Sequence, residues 1–372
     1  MKITDITTYA VTIPLKPEFR MVSALGQHNV SNYVLVKVDT DEGFFGVGEA
    51  SITVRWSGET TWGTTNLIEQ VLAPAIKGMN PLDIAGVDGR MDQIAANCWF
   101  AKSAIEMACW DIQGKAAEKP VYELLGGTCR PAAMRSRFSM GAYDVERAGR
   151  RAIELVDMGF TTIKVKVGGL ADDDIARVRA VREAIGDELD IFVDANCGWD
   201  VETAIFCLKQ LEDCRIAWVE QPTAKGDHAA MAQVRDETGA KILADDSCFD
   251  LVDAQELIRS DCCDAISLYP GKNGGIRKAR QIAKLAEEHN VACSIGSNLE
   301  WDIATAAMAH FIVATPNMKV EDIPGDILGP IYHESRIATN PVSIDGPITV
   351  VPDGPGLGVE VDWDFVKHNA AG

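Results

Sequence analysis

The sequence predicts an α/β fold: a parallel (β/α)-barrel carried with a smaller α+β capping domain. Three observations predict it. Residues 161–167 form a β-branched run holding two lysines one residue apart, Lys164 and Lys166. Apolar runs then end in Asp194, Glu220 and Asp245, at intervals of 28, 26 and 25 residues counted from Lys166. A repeating strand-helix unit with its polar residue always last in the strand is what a parallel barrel looks like in sequence, because its site is built at the C-terminal strand ends. The 372 residues also suit a barrel of about 250 residues with a second, smaller domain.

Taken in order, residues 2–9, 31–38 and 43–49 read as an antiparallel meander, with a turn over 39–43. The connection 14–29, which contains Arg20 and His28, is too long for a hairpin loop and reads equally as a lid or a surface excursion. A second candidate lid, 51–58, carries Arg55 and Trp56. Helical patterns over 60–77, 81–97 and 102–117 follow, and Gly126-Gly127 ends them. Strand-like segments then recur near 135–140, 161–166, 190–194, 216–220, 241–245, 264–269, 291–295 and 317–321. Eight strands are the number that closes the barrel. The tail, rich in Pro and Gly over 352–358, is expected to return to the N-terminal part. The expected division is therefore 1–130 for the capping domain, 131–325 for the barrel and 326–372 for a C-terminal segment packed back on the cap.

The net charge of −20 argues against nucleic acid or an anionic membrane as partner, and it makes any local lysine cluster informative. Ten scattered cysteines without a Cys-x-x-Cys pair read as small buried hydrophobes in a reducing compartment. With no signal-like N-terminus and no apolar run of membrane length, a cytoplasmic location is expected.

Alternate strand residues share a face, so Lys164 and Lys166 point the same way and repel unless something anionic lies before them. Each of Asp194, Glu220 and Asp245 alone reads as well as a helix cap. Together, at successive strand ends facing two lysines, they read as a site, and three hard oxygen donors without His or Cys suit Mg²⁺ better than zinc. Gly274-Gly275 reads as a plain helix start, Trp218 and Trp301 as core, and the six histidines show no ligand spacing.

These pieces resemble the enolase superfamily in its muconate-lactonizing subgroup. The resemblance is carried by Lys164-Val165-Lys166, Asp194-Ala195-Asn196, Glu220-Gln221-Pro222, Asp245-Asp246-Ser247, Lys272-Asn273-Gly274-Gly275, Leu299-Glu300 and the terminal Gly354-Pro355-Gly356-Leu357-Gly358. It implies a modified (β/α)7β TIM-type barrel under an α+β capping domain, with one Mg²⁺ (Mn²⁺ as a substitute) on Asp194, Glu220 and Asp245. It also implies that Lys166 is the base that moves the proton α to a substrate carboxylate through an enediolate, with Lys164 beside it. Glu300 is carried over as a further catalytic residue, and Arg20, His28, Arg55, Trp56, Asn196, Lys272 and Asn298 as substrate-binding candidates. A small-molecule carboxylate is the expected partner, and a homo-oligomer, from dimer to octamer, the expected assembly.

One departure matters. The subgroup usually carries a second catalytic lysine three residues before the Lys-Asn-Gly-Gly lysine, and here that position is Tyr269. Racemases and epimerases need an acid/base on each face of the α-carbon, so Tyr269 disfavours 1,1-proton transfer. One-lysine reactions survive, so the expected activity is that of a cycloisomerase or lyase resembling muconate cycloisomerase. A hydroxy-acid dehydratase is the alternative, then a racemase or epimerase, then a barrel without catalysis. Tyr269 is expected to donate a hydrogen bond to substrate or leaving group.

Overall fold

The computed structural model describes residues 1–370; residues 371 and 372 of the expected C-terminal segment lie outside the described residues. The chain opens on β1 (Ile3–Pro14), a small hairpin of β2 (Met21–Ser23) and β3 (Gly26–His28), then β4 (Val30–Thr40) and β5 (Phe45–Ile52). β1 pairs antiparallel with β4 and β4 with β5. The first strand outruns the expected 2–9 because its alternation continues, with Val11 and Ile13 buried and Thr12 and Pro14 exposed. Helix Trp99–Ala117 lies across this sheet. Gly48 permits the contact: a Cβ there would stand 1.7 Å from the carbonyl oxygen of Ala104. The expected helix 60–77 is interrupted by a π-helical turn at Ile68–Leu72, and 81–97 shortens to Ile84–Ile94.

The barrel strands are β7 (Phe138–Met140), β8 (Thr162–Lys166), β9 (Asp190–Asp194), β10 (Ile216–Glu220), β11 (Ile242–Ala244), β12 (Ala265–Leu268) and β13 (Ala292–Ile295). They form one parallel sheet in sequential order. Two strand expectations are corrected. The segment 135–140 is broken, since β6 (Ala133–Arg135) joins β14 (Ser343–Asp345) and β15 (Ile348–Val350) in a separate antiparallel sheet. The expected eighth strand, 317–321, reduces to a single parallel bridge, Cys293 to Met318. Its chain continues irregularly to Gly325, whose carbonyl accepts from Arg137 N at 2.8 Å, so backbone contacts rather than a full ladder join the two edges.

Inward-facing residues occur every second position along a strand. Phe192, Trp218 and Leu243 therefore share a face with Asp194, Glu220 and Asp245, and they form a buried apolar cluster two residues below the carboxylates. Capping-domain acids also serve barrel helices. Glu106 accepts from Ile276 N (2.9 Å) and Arg277 N (2.8 Å) at the start of helix Ile276–Glu288, and Glu49 accepts from Trp301 N (2.6 Å) and Ala304 N (3.2 Å) at helix Asp302–Val313. Each carboxylate satisfies orphan N–H groups at the positive end of a helix dipole. Gly275, at φ 125°, makes room, since its Cβ would lie 2.6 Å from Glu106 Cδ. The tail contacts the cap, with Leu357 N donating to Asp111 Oδ1 (2.9 Å) and Trp363 packed on Tyr9 at 5.4 Å.

Candidate active site

Strand register assembles the site. Lys166 lies opposite Asp194, and Asp194 opposite Glu220, so three neighbouring strands bring their last residues to one level. Asp245 follows β11 directly, and all four side chains line one cavity of about 140 Å³. Lys164 Nζ sits between Asp194 Oδ2 (2.9 Å) and Glu220 Oε1 (2.8 Å). Lys166 Nζ reaches Asp194 Oδ2 and Asn196 Oδ1, each at 2.6 Å. Burial pushes the Asp194 carboxyl up, but the two lysines outweigh it and hold it well below the usual carboxylate range. Burial alone would lower Lys164; the charges of Asp194 and Glu220 outweigh that and keep it an ammonium well above neutral pH. Glu220 moves up to about 7, through burial and then the charge of Asp194.

Arg137, which sequence reasoning missed, closes this side. Its guanidinium is fully buried and donates to Glu220 Oε2 (2.7 Å) and to the Pro324 carbonyl. The available signal was the second of two alternating arginines, Arg135 and Arg137, placed directly before the strand that starts at Phe138.

The opposite side is built differently. Lys272, a substrate-binding candidate whose direction the sequence left open, does not line the cavity. It is fully buried beneath Asp245, donating to Asp245 Oδ1 (2.7 Å) and to the carbonyls of Asp245 and Ser267 (2.8 Å each). Three acceptors turn the ammonium inward and correct that expectation. Tyr269 faces the cavity, with its hydroxyl 3.3 Å from Asp245 Oδ1. Burial and the Asp245 charge push this phenol well above its ordinary value near 10. Trp56 lies flat on the Tyr269 ring, 5.5 Å between centroids at 11°, and donates through Nε1 to Asp246 Oδ1 at 2.7 Å. Asp246, also missed as a site residue, lines the cavity and is pushed up to about 6 by burial and the Asp245 charge.

Both candidate lids contribute to the cavity wall. The hairpin supplies Met21, Ser23 and Leu25 through His28, and the second lid supplies Thr53, Arg55 and Trp56. Arg55 ties the two together through Leu25 O (2.7 Å), lying where a side chain on Gly26 would clash. His28 bonds Ser31 Oγ (3.0 Å), and burial and then Lys166 lower it to about 4, so it stays neutral. Asn196 and Asn298 line the cavity; Asn298 is held by Thr53 Oγ1 and the Ser51 carbonyl, 2.8 Å each. Two candidates fall outside. Arg20 turns back to the Leu15 carbonyl at 3.4 Å. Glu300 is buried behind the wall, accepting from Ser297 Oγ (2.8 Å) and Asn298 N (3.0 Å), which makes it a support for Asn298 and not a group that touches the cavity.

Among the described residues no three His, Cys, Asp or Glu side chains form a preassembled metal cage. Three buried carboxylates without a cation among them repel, and here each turns to a lysine or arginine instead. The donor set nonetheless fits Mg²⁺: three carboxylates at neighbouring strand ends, all lining one cavity, with no softer ligand present.

A capped parallel barrel with paired strand-end lysines facing carboxylates defines an enzyme of the enolase superfamily. The chain matches the enolase C-terminal domain-like model over residues 147–365 and the mandelate racemase / muconate lactonizing enzyme N-terminal domain model over 3–126. It belongs to the mandelate racemase / muconate lactonizing enzyme family. It is 34% identical over 361 residues to a hydrophobic dipeptide epimerase from Enterococcus faecalis, covering 96% of this chain and 99% of that one. It is 31% identical to an N-succinyl-L-Arg/Lys racemase from Bacillus cereus, covering 99% and 98%. Among solved structures it is similar to 2-chloromuconate cycloisomerase from Rhodococcus opacus, at TM-score 0.95 and 29% identity over the whole of both chains. The Enterococcus faecalis epimerase, crystallised with Mg and the dipeptide L-Leu-L-Tyr, superposes at TM-score 0.91 and 33% identity, covering 97% and 100%. No helix among the described residues is long and apolar enough to cross a membrane.

Proposed function

We propose that this enzyme moves a single proton α to a substrate carboxylate by one-base chemistry, as a cycloisomerase or lyase, and not by 1,1-proton transfer. One observation carries the reading: Lys166 reaches the cavity, while the opposite wall presents Tyr269 under Trp56 and holds Lys272 fully buried. Asp194, Glu220 and Asp245 would hold Mg²⁺, which neutralises the charge growing on the substrate carboxylate. Lys166 takes or returns the α-proton at Nζ. Lys164, fixed as an ammonium between Asp194 and Glu220, adds positive charge beside the substrate carboxylate. The raised Tyr269 phenol stays protonated, so it donates a hydrogen bond to substrate or leaving group and is a poor base. The two lids exclude water.

Cycloisomerisation and dehydration of a 3-hydroxy acid pass through the same kind of enediolate. In one an internal carboxylate adds to the β-carbon and the α-carbon takes a proton, or the reverse; in the other the α-proton is removed and the β-hydroxyl leaves as water. Dehydration is the second reading, favoured by Tyr269, whose phenol keeps its proton beside the cavity. The dipeptide epimerase and racemase relatives speak for the opposite outcome, and the departure at Tyr269 is what sets this chain apart from it. The test is a library of carboxylic and sugar acids in D₂O with Mg²⁺, read for product and for α-deuterium. One-faced exchange with a β-eliminated or cyclised product is expected. Racemisation of acyl-amino acids or epimerisation of dipeptides at enzymatic rates would overturn the one-base reading.

A further inference from the structure

Behind the hairpin lid lies a chain of polar side chains that reaches the cavity through His28. Ser31 and Tyr33 stand two residues apart on β4 and so share a face. His333, in the C-terminal segment, packs against both, and all three are buried. His333 Nδ1 lies 2.8 Å from the Gly329 carbonyl, while its Nε2 lies 2.9 Å from Ser31 Oγ and 2.8 Å from Tyr33 Oη. Tyr33 Oη also stands 2.6 Å from the Leu299 carbonyl, and Ser31 Oγ stands 3.0 Å from Nε2 of His28.

The available protons give this chain a direction. A carbonyl only accepts, so His333 carries a proton on Nδ1 and Tyr33 gives its single proton to Leu299. Burial lowers His333 to about 4, with Lys16 and Arg336 adding to the fall and the Gly329 bond opposing it, so the ring is neutral and Nε2 is a bare acceptor. The proton between His333 Nε2 and Ser31 Oγ is then Ser31's own. With its one hydrogen placed there, Ser31 accepts from His28, whose proton sits on Nε2. The neutral His28 ring lines the cavity, within reach of the Lys166 charge, and the nitrogen it has left is a Nδ1 with a lone pair and no proton. The 2.8 Å approach of Tyr33 to His333 Nε2 is the one gap without a proton. A second proton on His333 would fill it and turn the whole chain round.

We propose that Ser31 and His333 are positioning residues that hold His28 in its Nε2–H tautomer, so that Nδ1 offers the cavity a hydrogen-bond acceptor and selects a carboxylate substrate bearing a hydroxyl or N–H donor. The selection rests on the α-proton chemistry assigned to this cavity. Within that chemistry it favours hydroxy acids over dicarboxylates, whose ionised oxygens only accept.

The test reads the imidazole nitrogens of the whole protein, labelled with isotopic histidine, by NMR at neutral pH with Mg²⁺ present. Expected for the parent are a neutral His28 with a slowly exchanging proton on Nε2 and a neutral His333 with its proton on Nδ1. Ser31→Ala and His333→Phe should each open the His28 Nε2–H to rapid exchange, while His333→Gln, which keeps an acceptor, should retain part of the protection. The same spectra are then followed with each enantiomer of 3-hydroxybutanoate and with 3-methylbutanoate, in which a methyl replaces the hydroxyl. One enantiomer of the hydroxy acid should bind about fivefold tighter than 3-methylbutanoate, the scale of one neutral hydrogen bond, and Ser31→Ala should shrink that preference. A proton on His28 Nδ1, an imidazolium at either ring, or protection unchanged in Ser31→Ala overturns the positioning role. Equal binding of the two acids, or binding of neither, overturns the selection. Racemisation or epimerisation by the parent enzyme would overturn the one-base reading alone, because the tautomer is read before any substrate is added.

Discussion

The two walls of the catalytic cavity use the same ingredients to opposite ends. On β8 and β9 a lysine meets a strand-end aspartate and remains at the cavity, with the Lys166 side chain 12% exposed. After β11 and β12 a lysine again meets a strand-end aspartate, but Lys272 is 0% exposed and lies beneath the carboxylate. The first lysine stands on the strand itself, where side-chain direction is fixed by the pleat. The second follows Pro270-Gly271, where the chain turns and three carbonyl or carboxylate oxygens draw the ammonium inward. A lysine near a carboxylate is therefore not a second base by itself; which side of the carboxylate layer it occupies decides its role.

The comparison breaks most easily at Lys166. Lys166→Ala is expected to lower turnover by at least ~10²–10⁴-fold, the usual weight of a general base, with an unchanged circular dichroism spectrum. Activity within tenfold of the parent on the true substrate would hand the proton to another group.

Lys272→Met addresses the other wall and should act on stability. Removing one partner of a buried ion pair leaves Asp245 uncompensated, a loss of about 3–5 kcal/mol measurable by urea unfolding. A near-neutral result would mean that Asp245 is already neutralised, and the contrast between the walls would lose its physical basis.

Tyr269 sharpens the contrast further. Tyr269→Phe removes only the hydroxyl and is expected to slow turnover about tenfold, the scale of one hydrogen bond to a charged or developing group, while deuterium still enters from one face. Tyr269→Lys places a lysine where the subgroup usually has one, and should open exchange from the second face. Two-faced exchange by the parent enzyme, retained in Tyr269→Phe, would reveal a second base that the geometry does not provide.

The smallest effect concerns the support behind the wall. Glu300 is buried, and its carboxyl rises from 4.5 to about 7. A carboxyl raised on folding contributes stability that is complete below about pH 4.5 and is lost as pH climbs through 7. Glu300→Gln should therefore flatten part of the fall in Tm across that window while changing turnover little. An unaltered pH profile of Tm would place the ionised form, not the neutral one, in the fold at neutral pH.

Much of this was legible in the chain. Period-two alternation and regular strand-end acids gave the barrel, and with it the placement of Lys164, Lys166, Asp194, Glu220 and Asp245 around one cavity, because strand register converts sequence spacing into position. Two kinds of residue and one strand were not legible. Arg137 and Asp246 act through contacts with residues more than 80 and 180 positions away, Glu220 and Trp56 respectively. Arg20 and Glu300 sit close in sequence to cavity residues yet point away from the cavity, since a loop has no pleat to fix direction. The eighth strand failed because closure there runs through an irregular segment with one bridge.

What the sequence determined by itself is the order of strands and the chemical kind of each strand-end group, both of which follow from local alternation. Only the tertiary structure decided which groups reach the cavity. Lys272 turns under Asp245, and Trp56 crosses from the cap to cover Tyr269, through contacts between segments that no local pattern relates. Direction at the end of a loop is set by the partners waiting there, and those partners exist only once the barrel and its cap have come together.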